Sequence, residues 1–191
     1  MKKLTADNYR NMPWKNGAGT TIEMAVFPEH AQLDNFVWRI SRAMVVTDGG
    51  FSHFADIDRT LALLSGLGMR LNVNGDQYQL DQQKNMAVFP GDAQTHAESI
   101  DGPISDFNLM SRRTVCTHHL THWEGKSLHR LPVNTVFLYC AKGVGKLTAT
   151  KSTCELTDEE SLQFSSEDNP TDWTLECSAN SQFYCAQIDI G

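Results

Sequence analysis

Residues 36–66 read FVWRISRAMVVTDGGFSHFADIDRTLALLSG, and the way the first of them alternate decides the fold class. Phe36, Trp38 and Ile40 fall on one face and Val37, Arg39 and Ser41 on the other, a period of two that belongs to a half-buried strand and not to a helix. Arg42 then falls on the aromatic face. Asp48-Gly49-Gly50 reads as a turn, Phe51 to Phe54 as a new extended run, and Asp58-Arg59 stands directly before the apolar segment Leu61 to Leu64. A guanidinium beside an apolar strand is either tied to a strand-end carboxylate, Asp56 or Asp58, or free to capture an anionic ligand in the mouth of a barrel.

Upstream, Trp14-Lys15-Asn16-Gly17-Ala18-Gly19 is a glycine-rich loop, and Thr21 to Phe27 alternates as a strand with Ile22, Met24 and Val26 on one face and Thr21, Glu23 and Ala25 on the other. The loop lacks phosphate-cradle spacing and precedes a strand, so no helix N-terminus faces it. Lys15 and Asn16 bring a cation and an amide to a ligand, or they form an arm that covers a sheet edge. Downstream, Asn74-Gly75 between Leu71-Asn72-Val73 and Tyr78-Gln79-Leu80 marks a two-residue hairpin, because both turn positions accept positive φ. Asn85 to Phe89 and Ile104 to Met110 are further short strands, the latter followed by Arg112 and Arg113. Within it Asp106 and Asn108 share a face with Met110; polar groups pointing into a barrel must be hydrogen-bonded, so they brace Arg59 or Arg42, or they contact a ligand. Trp14 and Trp38 either line a pocket and stack on a planar ligand or belong to the core.

Many short strands with no helical period between them predict an all-β barrel or sandwich. The last third repeats the scheme: Gly66-Leu67-Gly68 recurs as Gly143-Val144-Gly145, and the same shift of 77 lays Phe107 on Tyr184, as a duplicated β unit would.

Composition bounds the function. With 191 residues, 40% hydrophobic and 20% charged, the chain can bury a full core as one large or two small domains. The formal net charge of −7, with acidic residues gathered in the last third, argues against a nucleic-acid partner. No apolar leader opens the sequence and no run reaches the ~18 apolar residues of a membrane span, which predicts a cytoplasmic protein with no membrane partner. Five cysteines without a CxxC pair read as reduced thiols.

WKNGAGTTIE, FVWRISRAMVVTDGGFSHF with DRTLALLSG, and DFNLMSRR resemble, in the same order, the three blocks of the HutD/Ves family. The resemblance covers roughly residues 10–115, with the remainder resembling a weaker second barrel. It implies two cupin-type β-barrels of the RmlC-like jelly-roll kind in tandem, residues 1–116 forming the first barrel with an N-terminal arm and 117–191 a linker and the second. It also implies a small-molecule-binding or regulatory protein of histidine utilisation or stress response, without catalytic activity. Ligands of that pathway, such as urocanate or formylglutamate, are carboxylates, which suits the arginines. Where many members have Pro-Gly before x-Asp-Arg, this chain has Ala55-Asp56, a change in the turn leading to Arg59.

Enzymatic cupins hold a metal with clustered histidines. His53 and His96 are the candidates for a barrel interior, while His118, His119, His122 and His129 gather between the halves, where a helix-like turn is predicted over Thr117 to Leu131. No HxH pair lies in a strand, so no metal or other cofactor is expected. The alternatives are a metal-dependent cupin enzyme and an interaction module with a vestigial pocket. A homodimer is left open. The expected site is in the mouth of the first barrel: Arg59 binds a carboxylate, Lys15 and Asn16 close over it, Trp14 or Trp38 forms an apolar wall, and Arg42, Glu23 and Asn108 make the next polar layer.

Overall fold

The structure, a computed structural model, describes residues 1–14 and 19–191. In chain order the strands are β1 (Lys2–Leu4), β2 (Arg10–Pro13), β3 (Gly19–Phe27), β4 (Trp38–Val45), β5 (Gly49–Gly50), β6 (Ile57–Ser65), β7 (Met69–Val73), β8 (Asp76–Leu80), β9 (Met86–Pro90) and β10 (Thr95–Ser99). They continue as β11 (Ile104–Arg112), β12 (Cys116–Glu124), β13 (Ser127–Arg130), β14 (Thr135–Lys142), β15 (Gly145–Ala149), β16 (Ser152–Leu156), β17 (Ser161–Gln163), β18 (Thr174–Cys177) and β19 (Gln182–Ile190). Two short 3₁₀ turns, at Ala6–Asn8 and Pro170–Asp172, complete the described secondary structure. The helix-like turn expected over residues 117–131 is absent: that stretch is β12 and β13, and its histidines sit on strands.

The chain divides into two units, one made of Tyr9–Thr117 with Ile190–Gly191, the other of His118–Asp189 with Met1–Asn8. The arm expected to belong to the first barrel therefore starts in the other unit, because β1 pairs antiparallel with β17 through Lys2 to Leu4.

In the first unit a six-stranded sheet in the order β2-β3-β4-β11-β6-β9 and a four-stranded sheet β5-β10-β7-β8 share one apolar core. The first sheet gives it Ala43, Val45, Leu61, Leu63, Ala87, Phe89 and Ile104, and the second Met69, Leu71, Val73, Leu80 and Ala97. Alternation along β4, β6 and β11 then fixes what else points inward: Arg39 and Ser41 with Ala43, Arg59 with Leu61, and Asp106 and Asn108 with Ile104. The β7–β8 hairpin turns at Asn74 and Gly75, at φ of 52° and 99°, as its sequence predicts.

The second unit has the sheets β1-β17-β14-β19-β12 and β13-β18-β15-β16. The run β12 to β19 repeats the order of β4 to β11 in both sheets, so the recurrence in the sequence is a recurrence of topology. Gly66 and Gly143 occupy the same bend in the two runs, with φ of 102° and 85°. A Cβ would come within 2.7 Å of Ile104 in one and of Ser181 in the other, so glycine is required at both.

Candidate functional site

Arg59 lies on the inner face of β6 and is only 4% exposed. Its Nε and Nη2 both donate to Asn108 Oδ1, at 3.3 and 2.8 Å, and Asn108 Nδ2 donates to Asp106 Oδ1 at 3.0 Å. The amide of Asn108 thus stands between a cation on its oxygen side and a carboxyl group on its nitrogen side. The guanidinium carbon also lies 4.6, 5.3 and 5.9 Å from the ring centroids of Phe51, Phe89 and Phe54, an aromatic surround that favours a cation. Asp58 does not pair with Arg59. It accepts from Arg113 Nε at 3.0 Å, while Arg113 also holds Asp92 and the carbonyl of Ile57. That exposed cluster pins the start of β6 and leaves Arg59 to the interior.

A second arginine reaches the same face from β4. Arg39 donates through Nε to Glu23 Oε2 at 2.6 Å and through Nη1 to Ser41 Oγ at 3.3 Å, and both Arg39 and Glu23 are buried. Glu23 is the last inward residue before a bulge in β3, where the register on β4 slips between Glu23 and Ala25. The inner face therefore carries a matched pair, Glu23 with Arg39, beside Arg59, which among the described residues makes no direct ion pair.

Burial governs the protonation of this group. Removal from water lowers Arg59 to about 10, against which Asp106 raises it and Arg39 lowers it further, so Arg59 remains a cation at neutral pH. Asp106 is fully buried and pushed up to about 7; Arg59, the Asn108 amide and the Ala43 backbone N–H oppose that rise without cancelling it. Among the described residues Asp106 Oδ2 has no hydrogen-bond partner.

The expected site residues are only partly brought together. Arg59, Asn108 and Glu23 share the inner face, and Trp14 packs against the same core and donates from its indole to Thr21 Oγ1 at 2.8 Å. Lys15 and Asn16 lie outside the described residues; their flank Gly19 pairs with Val45, at the end of the sheet remote from Arg59. Arg59 pairs instead with Met110, six residues along β11 from the Ile104 that pairs with Val45, roughly 20 Å at strand rise. Trp38 and Arg42 do not join the group. They fall on the opposite face of β4, where Trp38 stacks on Phe27 with centroids 5.9 Å apart. Sequence reading missed Arg39, Ser41 and the three phenylalanines around Arg59; the period of two on β4, which sets Arg39 and Ser41 on one face of a half-buried strand, was the signal for Arg39.

The histidines do not build a metal centre. His53 and His96 are exposed, His96 on the outer face of β10 in a polar groove with Arg70, Asn72 and Glu98. Of the histidines on β12 and β13, His122 stacks on Tyr184 and His129 on Trp123. Among the described residues no three His, Cys, Asp or Glu side chains are placed to hold a metal ion.

The second unit is an internal comparison for the polar group. By topology and by the Phe107–Tyr184 match, Asn108 corresponds to Cys185 and Asp106 to Phe183, and the partner across the sheet becomes Thr135, which contacts Cys185 Sγ at 3.5 Å. Cys185 and Phe183 belong to an apolar core with Leu138, Leu147, Leu162 and Leu175. The buried charges are confined to the first unit's version of the fold.

A family model described as HutD matches residues 6–185. The chain belongs to the HutD family. An uncharacterised 21.2 kDa protein from the hutC 3' region of Pseudomonas putida is 36% identical over 141 residues, 74% of each chain. The Ves protein of Escherichia fergusonii is 34% identical over 111 residues, 56% of this chain and 57% of Ves. Among solved structures, a conserved protein of unknown function from Pseudomonas aeruginosa superposes with a TM-score of 0.85 at 30% identity, covering 98% of both chains. HutD from Pseudomonas fluorescens SBW25, crystallised in a formate condition, gives 0.78 at 28% identity over 98% of both chains. A cupin 2 conserved barrel domain protein from Leptotrichia buccalis gives 0.59 at 8% identity, a likeness of fold that makes this HutD-family chain all-β and cupin-like.

Proposed function

We propose that this HutD-family chain binds a small carboxylate inside its first unit and does not turn it over, with Arg59 as the anion-binding group and the units acting as two cupin-type barrels in tandem. The observation that supports this most is the state of Arg59: a buried cation whose hydrogen bonds go to the neutral Asn108 amide, while the neighbouring Arg39 is already matched by Glu23. A buried charge without a direct counter-ion is costly, and an anion from solution supplies one with charge-assisted hydrogen bonds. The Asn108 fork uses Nε and Nη2, so Nη1 takes no part in it. Phe51, Phe54 and Phe89 offer apolar walls to a planar or short-chain acid. On this reading the protein senses an acid of histidine breakdown, urocanate or formylglutamate, in the cytoplasm. Calorimetric titration with both acids at pH 6 tests it. Saturable binding that Arg59→Ala weakens by about 1.5–3 kcal/mol, the range for a hydrogen bond to a charged group, is expected. Binding that this substitution leaves unchanged would remove Arg59 from the site.

A further inference from the structure

We propose that Asp106 is a specificity-determining residue of this site, and that the ligand carboxylate enters together with one proton, held on Asp106 Oδ2 and donated to the ligand. This rests on the carboxylate-binding reading above. Asp106 is 0% exposed, its Oδ1 is occupied by the Asn108 amide, and its Oδ2 is unpartnered among the described residues. A buried oxygen in that state is completed by a donor brought from outside or by carrying a proton to an acceptor brought from outside. A carboxylate ligand is only an acceptor, so the second arrangement is the one that fits it.

Charge points the same way. Asp106 meets Arg59 from β6, the Asn108 amide from β11 and the Ala43 backbone N–H from β4, with Ser41 and the Glu23–Arg39 pair further along the same inner face and Met69, Leu71 and Val73 of the four-stranded sheet in the shared core. Glu23 and Arg39 pair with each other, so among the described residues Arg59 is the buried cation of this face without a direct ion pair. Were Asp106 ionised, an arriving carboxylate would set two anions against that cation inside an apolar wall, and like charges sharing a site force a proton onto one of them. The proton comes from solvent and forms an O–H bond at Asp106 Oδ2, which donates a hydrogen bond to the ligand carboxylate; no bond of the ligand forms or breaks. Burial has already brought Asp106 to about 7, so the uptake falls within the physiological range.

Formate and N-formyl-L-glutamate serve as probes, since their carboxyl groups do not titrate between pH 6 and 8.5. Each is titrated calorimetrically into the full chain at pH 6 and at pH 8, in phosphate and in Tris, whose ionisation enthalpies differ. The expected result is uptake approaching one proton per ligand at pH 8, little at pH 6, and affinity falling toward tenfold per pH unit above about 7. Asp106→Asn, which mimics the protonated acid in shape and donor, should bind both probes at pH 8 without proton uptake. Binding of wild-type protein at pH 8 with no uptake would overturn the inference alone, as would an Asn variant that folds but loses binding at pH 6, since the oxygen would then be accepting from the ligand. Should that variant not fold, the wild-type proton count decides. Failure of both probes to bind at pH 6 would overturn the carboxylate reading and this inference with it.

Discussion

Arg39 and Arg59 flank one residue: Met110 on β11 pairs directly with Arg39 on β4 and with Arg59 on β6. Two guanidiniums on the strands either side of β11, on one buried sheet face, repel unless each is separately satisfied, and they are satisfied differently, one by a carboxylate and one by an amide. Several measurements separate the consequences.

Replacing Arg59 by Ala should do more than weaken binding. It orphans Asn108 Oδ1 and empties the space between Phe51, Phe54 and Phe89, so unfolding free energy should drop by about 2–4 kcal/mol as read from urea titration. Unchanged stability would mean that water substitutes for the guanidinium.

Glu23→Gln leaves Arg39 buried with a neutral partner. A loss of about 3–5 kcal/mol is expected, recovered in part when Arg39 is changed to Met at the same time, a non-additivity that a double-mutant cycle reads directly.

Asp106 makes stability depend on pH with a definite sign. Its folded value of about 7 lies above the ordinary 3.8, so the folded protein keeps a proton that the unfolded chain has released. The cost is absent below about pH 4, grows as pH rises and is complete above about 7, reaching at most about 4 kcal/mol. The melting temperature of Asp106→Asn minus that of wild type should therefore increase from pH 4 to pH 7 and then level off; a difference that shrinks over that span contradicts the assignment.

Asp56 adopts φ of 60°, the left-handed conformation that glycine takes without strain. Asp56→Gly should be neutral to stabilising by about 0.5–1 kcal/mol, the relief of strain being partly offset by unfolded-chain entropy. Thermal denaturation monitored by circular dichroism checks it.

The strands were legible because their signals are local. Alternation marked β3, β4 and β11, and Asn74-Gly75 marked a hairpin whose turn chemistry needs no tertiary context. Arg59 and Asn108 were legible as polar residues on an otherwise apolar face. Arg39 was not, because a strand with polar residues on one face reads as half-exposed, whereas the first four residues of β4, Trp38 to Ser41, are buried on both faces and the polar face is the inner one. Trp38 and Arg42 were drawn into the expected site by the same inversion of faces. Nor could the histidines between the units be read as strand residues, since HHLTHWEGKSLHR lacks an apolar alternation of the usual kind.

The pairing of β1 with β17 bears on how the chain is made. During vectorial synthesis Lys2 to Leu4 precede every other strand, yet their partners Ser161 to Gln163 arrive after the whole first unit, so the opening strand waits unpaired while the intervening sheets form. Severing the chain at residue 117 would not yield two intact halves: the C-terminal piece would present a bare edge at β17, open to association with other chains. A peptide of residues 1–8 supplied in trans should cap that edge and keep the fragment in solution.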